Sequence, residues 1–86
     1  MLEPPVDSMS VGQVTGFTFT TNTGAVPSEV TWVNETPAVV SVHTPVDGCG
    51  TRCAMVLALA PGEAQLRPFA IVNGARIEAP RRISVR

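Results

Sequence analysis

The chain has no lysine and no tyrosine, a single histidine, a single tryptophan and two cysteines. Each shortage removes a class of function. Six arginines against seven acids leave a formal net charge of -1. That gives no basic excess to neutralise a phosphate backbone, so nucleic acid is excluded as an expected partner. The all-arginine choice reads as a composition bias of the genome rather than as chemistry. With three phenylalanines and no tyrosine, an aromatic carbohydrate-binding surface is not expected. The longest apolar run, Ala54 to Pro61, is far shorter than the roughly 20 residues that cross a bilayer, and no membrane insertion is expected. The opening "MLEPPVDSMS" lacks the basic start and apolar stretch of a signal peptide. Met1 is therefore read as an added start on an excised domain rather than a cytoplasmic one. No phosphate-binding loop, nucleophile elbow or H-E-x-x-H zinc motif is present.

What is present is short-range punctuation. Hydrophobic residues make up 44% of the 86 positions and charged ones 15%, too apolar a balance for a disordered chain. The length suits one domain. Eight prolines and seven glycines are spread along it, which favours many short strands over long helices. Residues 1–8 read as a lead-in made extended by Pro4 and Pro5. Met9 to Val11 reads as a short edge strand ended by Gly12. In "VTGFTFTT", Val14 to Thr21, Phe17 and Phe19 alternate with Thr18 and Thr20, the period of a strand with one wet face. A turn is expected at Asn22 to Pro27. Strands follow at Glu29 to Asn34, with Val30 and Trp32 inward, and at Val39 to His43, with Val40 and Val42 on one side.

A long turn, "TPVDGCGTRC", precedes the apolar strand Cys53 to Ala60, with Val56 and Ala58 inward. Pro61-Gly62 reads as a turn. Ala64 to Val72 alternates through Ala64 and Leu66, and Pro68 there points to an edge or a bulge. Asn73-Gly74 is a hairpin signal. Ile77 to Val85 closes the chain, with Ile83 and Val85 inward and Val11 completing the expected core. That is roughly seven strands with turns about every ten residues, the pattern of an all-β, immunoglobulin-like two-sheet sandwich over residues 9–86.

Few residues offer chemistry. Cys49 and Cys53 flank Gly50-Thr51-Arg52, and such a connection brings two Cα atoms into disulfide range at a hairpin tip. A disulfide there implies an oxidising compartment. The other readings are a metal site from Cys49, Cys53, His43 and Asp47, for which no second cysteine pair exists, a redox-active pair, or free thiols in a reducing cell. His43 has Ser41 and Thr44 nearby in sequence, but strand alternation separates adjacent side chains, so a surface histidine at a strand end is expected. Trp32 reads as core rather than as a glycan platform. The seven acids are scattered and form no D-x-D-x-D-G calcium loop and no glycosidase pair. Calcium at a domain junction through Glu3 or Asp7 is the alternative weighed for them. Arg76, Arg81, Arg82 and Arg86 read as a charged edge that discourages sheet-to-sheet pairing. No cofactor is expected and no catalytic residue is assigned.

The segments "SVGQ", "VTW", "PAVVSV", "ALAPGEAQL" and a terminal "ISV" occur in that order. In this the chain resembles the bacterial immunoglobulin-like domains of group 2, found in invasin- and intimin-like surface proteins. The matching residues are Val11-Gly12, Trp32, Val39 and Val42, and Ala58, Pro61, Gly62 and Ala64, across residues 9–86. Between His43 and Cys53 this chain carries about ten residues where that family has a short turn. The resemblance implies a structural or adhesive module, one of several in an extracellular bacterial protein or a phage virion protein.

The expectation is therefore a non-catalytic extracytoplasmic module that spaces or presents neighbouring domains or contacts a protein or glycan surface. As an isolated domain it is expected to be a monomer. Asp47, Gly48, Gly50, Thr51 and Arg52 form the expected contact loop, because loops on rigid scaffolds often carry binding. The alternatives are a polysaccharide-binding accessory domain of a secreted enzyme, and a small secreted domain that binds proteins, for instance by pairing an edge strand.

Overall fold

The computed structural model describes residues 2–21, 27 and 29–86. Among these residues nine strands form two sheets. The first sheet runs β1 (Leu2–Glu3), β3 (Val14–Phe19), β6 (Cys53–Ala58), β5 (Val40–His43). The second runs β2 (Ser8–Met9), β9 (Arg81–Val85), β7 (Gly62–Val72), β4 (Thr31–Asn34), and β8 (Ala75–Glu78) also pairs with β7. Taking β1, β3, β6 and β5 as strands A, B, E and D, and β4, β7 and β9 as C, F and G, this is the strand order of an immunoglobulin-like sandwich. Merging the two N-terminal strands into one, and the two C-terminal strands into another, restores the expected seven.

Alternation builds the core. In β3 the phenylalanines Phe17 and Phe19 are buried between half-exposed threonines. In β6 an apolar run still alternates, with Ala54, Val56 and Ala58 buried and Met55 exposed. From the opposite sheet, Ala64, Leu66 and Ala70 of β7 and Ile83 and Val85 of β9 complete one buried cluster with Val30 and Val40. Fully burying a Phe, Leu or Ile contributes about 1.5–3 kcal/mol apiece. Trp32 and Val42, expected in the core, pack against it half-buried. The turn expected at Asn22 to Pro27 lies, but for Pro27, outside the described residues.

Four sequence expectations need correction. Of the lead-in expected at residues 1–8, the described part, residues 2–8, does not remain outside the sandwich. Leu2 pairs with Phe19 and is buried, Ser8 pairs with Ser84 in parallel, and the proline segment between them crosses from one sheet to the other. Val11 is 48% exposed, because the chain turns at Val11-Gly12, where Gly12 has φ 89°; Met9 is the buried residue instead. Pro68 stands in the middle of the longest strand, not at an edge. Its Cα partner on one side is Trp32. On the other side β7 changes partner there, from β9 at Leu66 to β8 at Phe69. The Pro68 carbonyl accepts from the Ala79 N–H at 3.0 Å. The N–H that proline lacks would point the same way, into the break between β8 and β9, so the ladder loses nothing. For the same reason the single strand expected at Ile77 to Val85 is two strands, interrupted at Ala79-Pro80.

The long axis of the molecule is 38 Å. An eleven-residue strand such as β7 spans roughly 35 Å, so that axis follows the strands. Leu2 pairs with the far end of β3, whereas Val85 pairs with Gly62 at the start of β7. Residues 2 and 86 therefore lie at opposite ends.

Candidate functional site

The inserted loop, residues 44–52, lies at the end of the sandwich that holds Leu2. Cys49 and Cys53 are joined by a disulfide with Cα atoms 5.7 Å apart. Inside it the chain folds into a miniature hairpin. The Gly50 N–H donates to the Val46 carbonyl at 2.8 Å and the Val46 N–H to the Gly50 carbonyl at 3.1 Å. Gly48 and Gly50 have φ of 82° and 70°, which the tight turn requires. With both thiols in the bridge, the metal-site reading loses its thiolate ligands in this state.

The loop is fastened to the body by Thr51. The Thr51 carbonyl accepts from the Trp32 indole Nε1 at 2.6 Å, and its Oγ1 accepts from the Val30 N–H at 2.9 Å. The Arg52 carbonyl accepts from the Phe19 N–H at 2.8 Å. The Arg52 Nε is buried with no hydrogen-bond partner among the described residues. Thr44 Oγ1 donates to the Cys53 carbonyl at 2.9 Å. Of the five residues expected to form a contact loop, Asp47, Gly48 and Gly50 are exposed, while Thr51 and Arg52 are half-buried and turned to the scaffold. The clamp was missed in the sequence. Its one signal was Trp32, since a tryptophan in a core needs an acceptor for its indole N–H.

His43 does not stand alone. Ser41 lies two residues before it, on the same face of β5, and Ser41 Oγ is 3.0 Å from His43 Nε2. The expected separation by alternation holds for Thr44 and fails for Ser41, because strand side chains repeat at every second residue. Both residues lie on the outer face, and no carboxylate is hydrogen-bonded to His43 among the described residues. A hydroxyl and an imidazole without an orienting acid and oxyanion donors are not a triad.

The arginines serve different purposes. Arg81 donates from Nη1 to the Val6 carbonyl at 3.1 Å and from Nη2 to the Leu2 carbonyl at 3.0 Å, latching the N-terminal crossing to β9. Arg76 lies 3.8 Å over the Phe69 ring and 3.7 Å from Glu78. Arg67 pairs with Glu35 at 2.6 Å on the surface, where such pairs contribute little. Among the described residues no group of three or more His, Cys, Asp or Glu converges. Among the described residues no helix is long and apolar enough to cross a membrane. A cleft of about 440 Å³ opens between the N-terminal segment and β8, lined by Leu2, Glu3, Pro5, Ile77, Pro80 and Arg81 among others.

Fold and loop together define an all-β sandwich with a stapled end loop and no assembled catalytic group among the described residues. No protein-family model matches the chain, and no curated protein matches it. Solved structures do. A crystal structure of domains 4 and 5 of the S-layer protein SbsC aligns with 99% of this chain at TM-score 0.67 and 17% identity. Domains 5–6 of SbsC align with all of it at TM-score 0.68 and 16% identity, as does rSbsC(31-844). The chain spans 49%, 42% and 12% of those chains, about half or less. At such identity the likeness establishes the fold.

Proposed function

We propose that the chain is a non-catalytic immunoglobulin-like module of an extracytoplasmic bacterial or phage protein, one that spaces or presents neighbouring domains. The observation that carries this is the placement of residues 2 and 86 at opposite ends of a sandwich 38 Å long. Chain continuing from either end leaves along the long axis, so modules add length instead of folding back. Two further observations support it. The similar structures are sections of an S-layer protein numbered as successive domains. The Cys49–Cys53 bridge fits an oxidising compartment. The group 2 bacterial immunoglobulin-like resemblance belongs to the same reading. For any specific surface contact we propose the loop tip, Asp47, Gly48 and Gly50, with Thr51 and Arg52 holding it in place.

Small-angle scattering on two copies joined directly, Arg86 to Leu2, tests the spacing role. End-to-end stacking gives a maximum dimension near twice 38 Å. A particle no longer than one module would overturn it. Thiol titration of the unreduced, denatured chain recovered from its source tests the compartment: no free thiol is expected, and two free thiols would place it in a reducing cell.

A further inference from the structure

β8 presents an open sheet edge. Its hairpin with β7 turns through Asn73 and Gly74, with φ of 52° and 80°, the signature of a two-residue turn with both central residues left-handed. Such a turn makes Val72 and Ala75 a hydrogen-bonded pair, and the register then sends Ile77 to Ala70. Arg76 and Glu78 alternate with them, so their N–H and C=O groups point away from β7. Among the described residues nothing hydrogen-bonds to those four groups. Lower on the same side the edge is covered: the Ser84 N–H donates to the Asp7 carbonyl at 2.9 Å and the Arg86 N–H to the Met9 carbonyl at 3.0 Å. The cover stops where the chain leaves for the other sheet at Pro4-Pro5. The 440 Å³ cleft lies beside the uncovered part, with Ile77 on its wall.

We propose that this edge pairs with the same edge of a second copy of the chain, antiparallel and centred on Ile77. Centring on Ile77 sets Arg76 opposite Glu78 of the second copy, and Glu78 opposite its Arg76. Both pairs are hydrogen-bonding positions, so four backbone bonds form at once. Both also bring opposite charges face to face on the outer surface, where these side chains are exposed. Opposite charges directly across a sheet attract and like charges repel. The charges are thus self-complementary in this register, and a foreign strand would need the same alternation. The Ile77 side chains, half-buried against the core, meet at the two-fold axis over the mouths of the clefts. The contact is isologous and closes as a dimer, joining two five-stranded sheets into one. Four residues a side bury less than a stable dimer needs, so association is weak, with a dissociation constant of about 1 mM. The pairing is independent of the spacing role.

The test is sedimentation equilibrium on the 86-residue chain over about 0.05–2 mM, with amide exchange followed by NMR in the same samples. Dimer grows with concentration, and the Arg76 and Glu78 amides slow with it while the Ser84 amide does not change. R76E places like charges at both pairs, as does E78R, and each alone weakens association roughly tenfold or more. Mixed, the two variants complement each other and associate again. A wild-type chain that stays monomeric throughout, protection at another edge, or a mixture no stronger than either variant alone overturns the proposal. Because wild-type exchange reads the same edge without substitution, a variant that fails to fold does not leave the question open.

Discussion

The two halves of the last strand region share one sequence neighbourhood, one partner strand and one side of that strand, yet they end in opposite conditions. β9 is sandwiched between β7 and β2, with Ile83 fully buried. Among the described residues β8 pairs with β7 alone, with Ile77 half-buried beside a cleft. The difference arises at two proline-containing breaks rather than in the strands themselves. Ala79-Pro80 interrupts the strand, and Pro4-Pro5 takes the N-terminal segment off the second sheet before it reaches β8. An edge is covered or open according to where the neighbouring chain is forced to leave.

The largest expected contrast comes from truncating the two isoleucines. Ile83→Ala lowers unfolding stability by about 2–5 kcal/mol, whereas Ile77→Ala costs no more than about half as much. Urea denaturation measures both, and equal losses would mean that β8 is packed as tightly as β9. Next is the latch. Replacing Arg81 by Met removes two bonds from a charged donor to the Leu2 and Val6 carbonyls and costs about 1.5–3 kcal/mol. It also speeds exchange in β1. Unchanged exchange there would show that the crossing is held by packing alone.

The disulfide supplies a control away from the strand edge. Cys49→Ala with Cys53→Ala opens a very short loop and costs about 2 kcal/mol at most in the chain-entropy view. Exchange in β8 stays as it was. The hairpin is subtler: Gly74→Ala puts a Cβ at φ 80° and costs roughly 1 kcal/mol, read as a lower midpoint. Smallest of all, Val11→Thr on the exposed turn falls within about 0.5 kcal/mol of wild type; a larger loss would mean Val11 is not where the structure puts it.

The sandwich was legible because its central strands alternate cleanly. Phe17 and Phe19 against threonine, Leu66 and Ala64 in β7, and Asn73-Gly74 each state their own geometry. What could not be read depends on contacts distant in sequence. Leu2 is a two-residue strand whose partner, Phe19, has no local signature of that pairing. Pro68 reads as an edge residue by composition, and only the partner change in β7 explains its central place. Val11 continues the parity of Met9, but the Gly12 turn ends the strand first. At the candidate loop the cysteine spacing revealed the bridge, while the Thr51 clamp depends on Trp32, 19 residues away.

The most direct measurement compares four amides on one side of the last strand region in a dilute, monomeric sample. Ser84 and Arg86 donate to the β2 segment, and Arg76 and Glu78 face solvent. Residue-resolved hydrogen exchange at micromolar concentration should find the first pair slowed by orders of magnitude and the second within about tenfold of an unstructured peptide. Equal protection of all four would contradict the open edge and everything built on it.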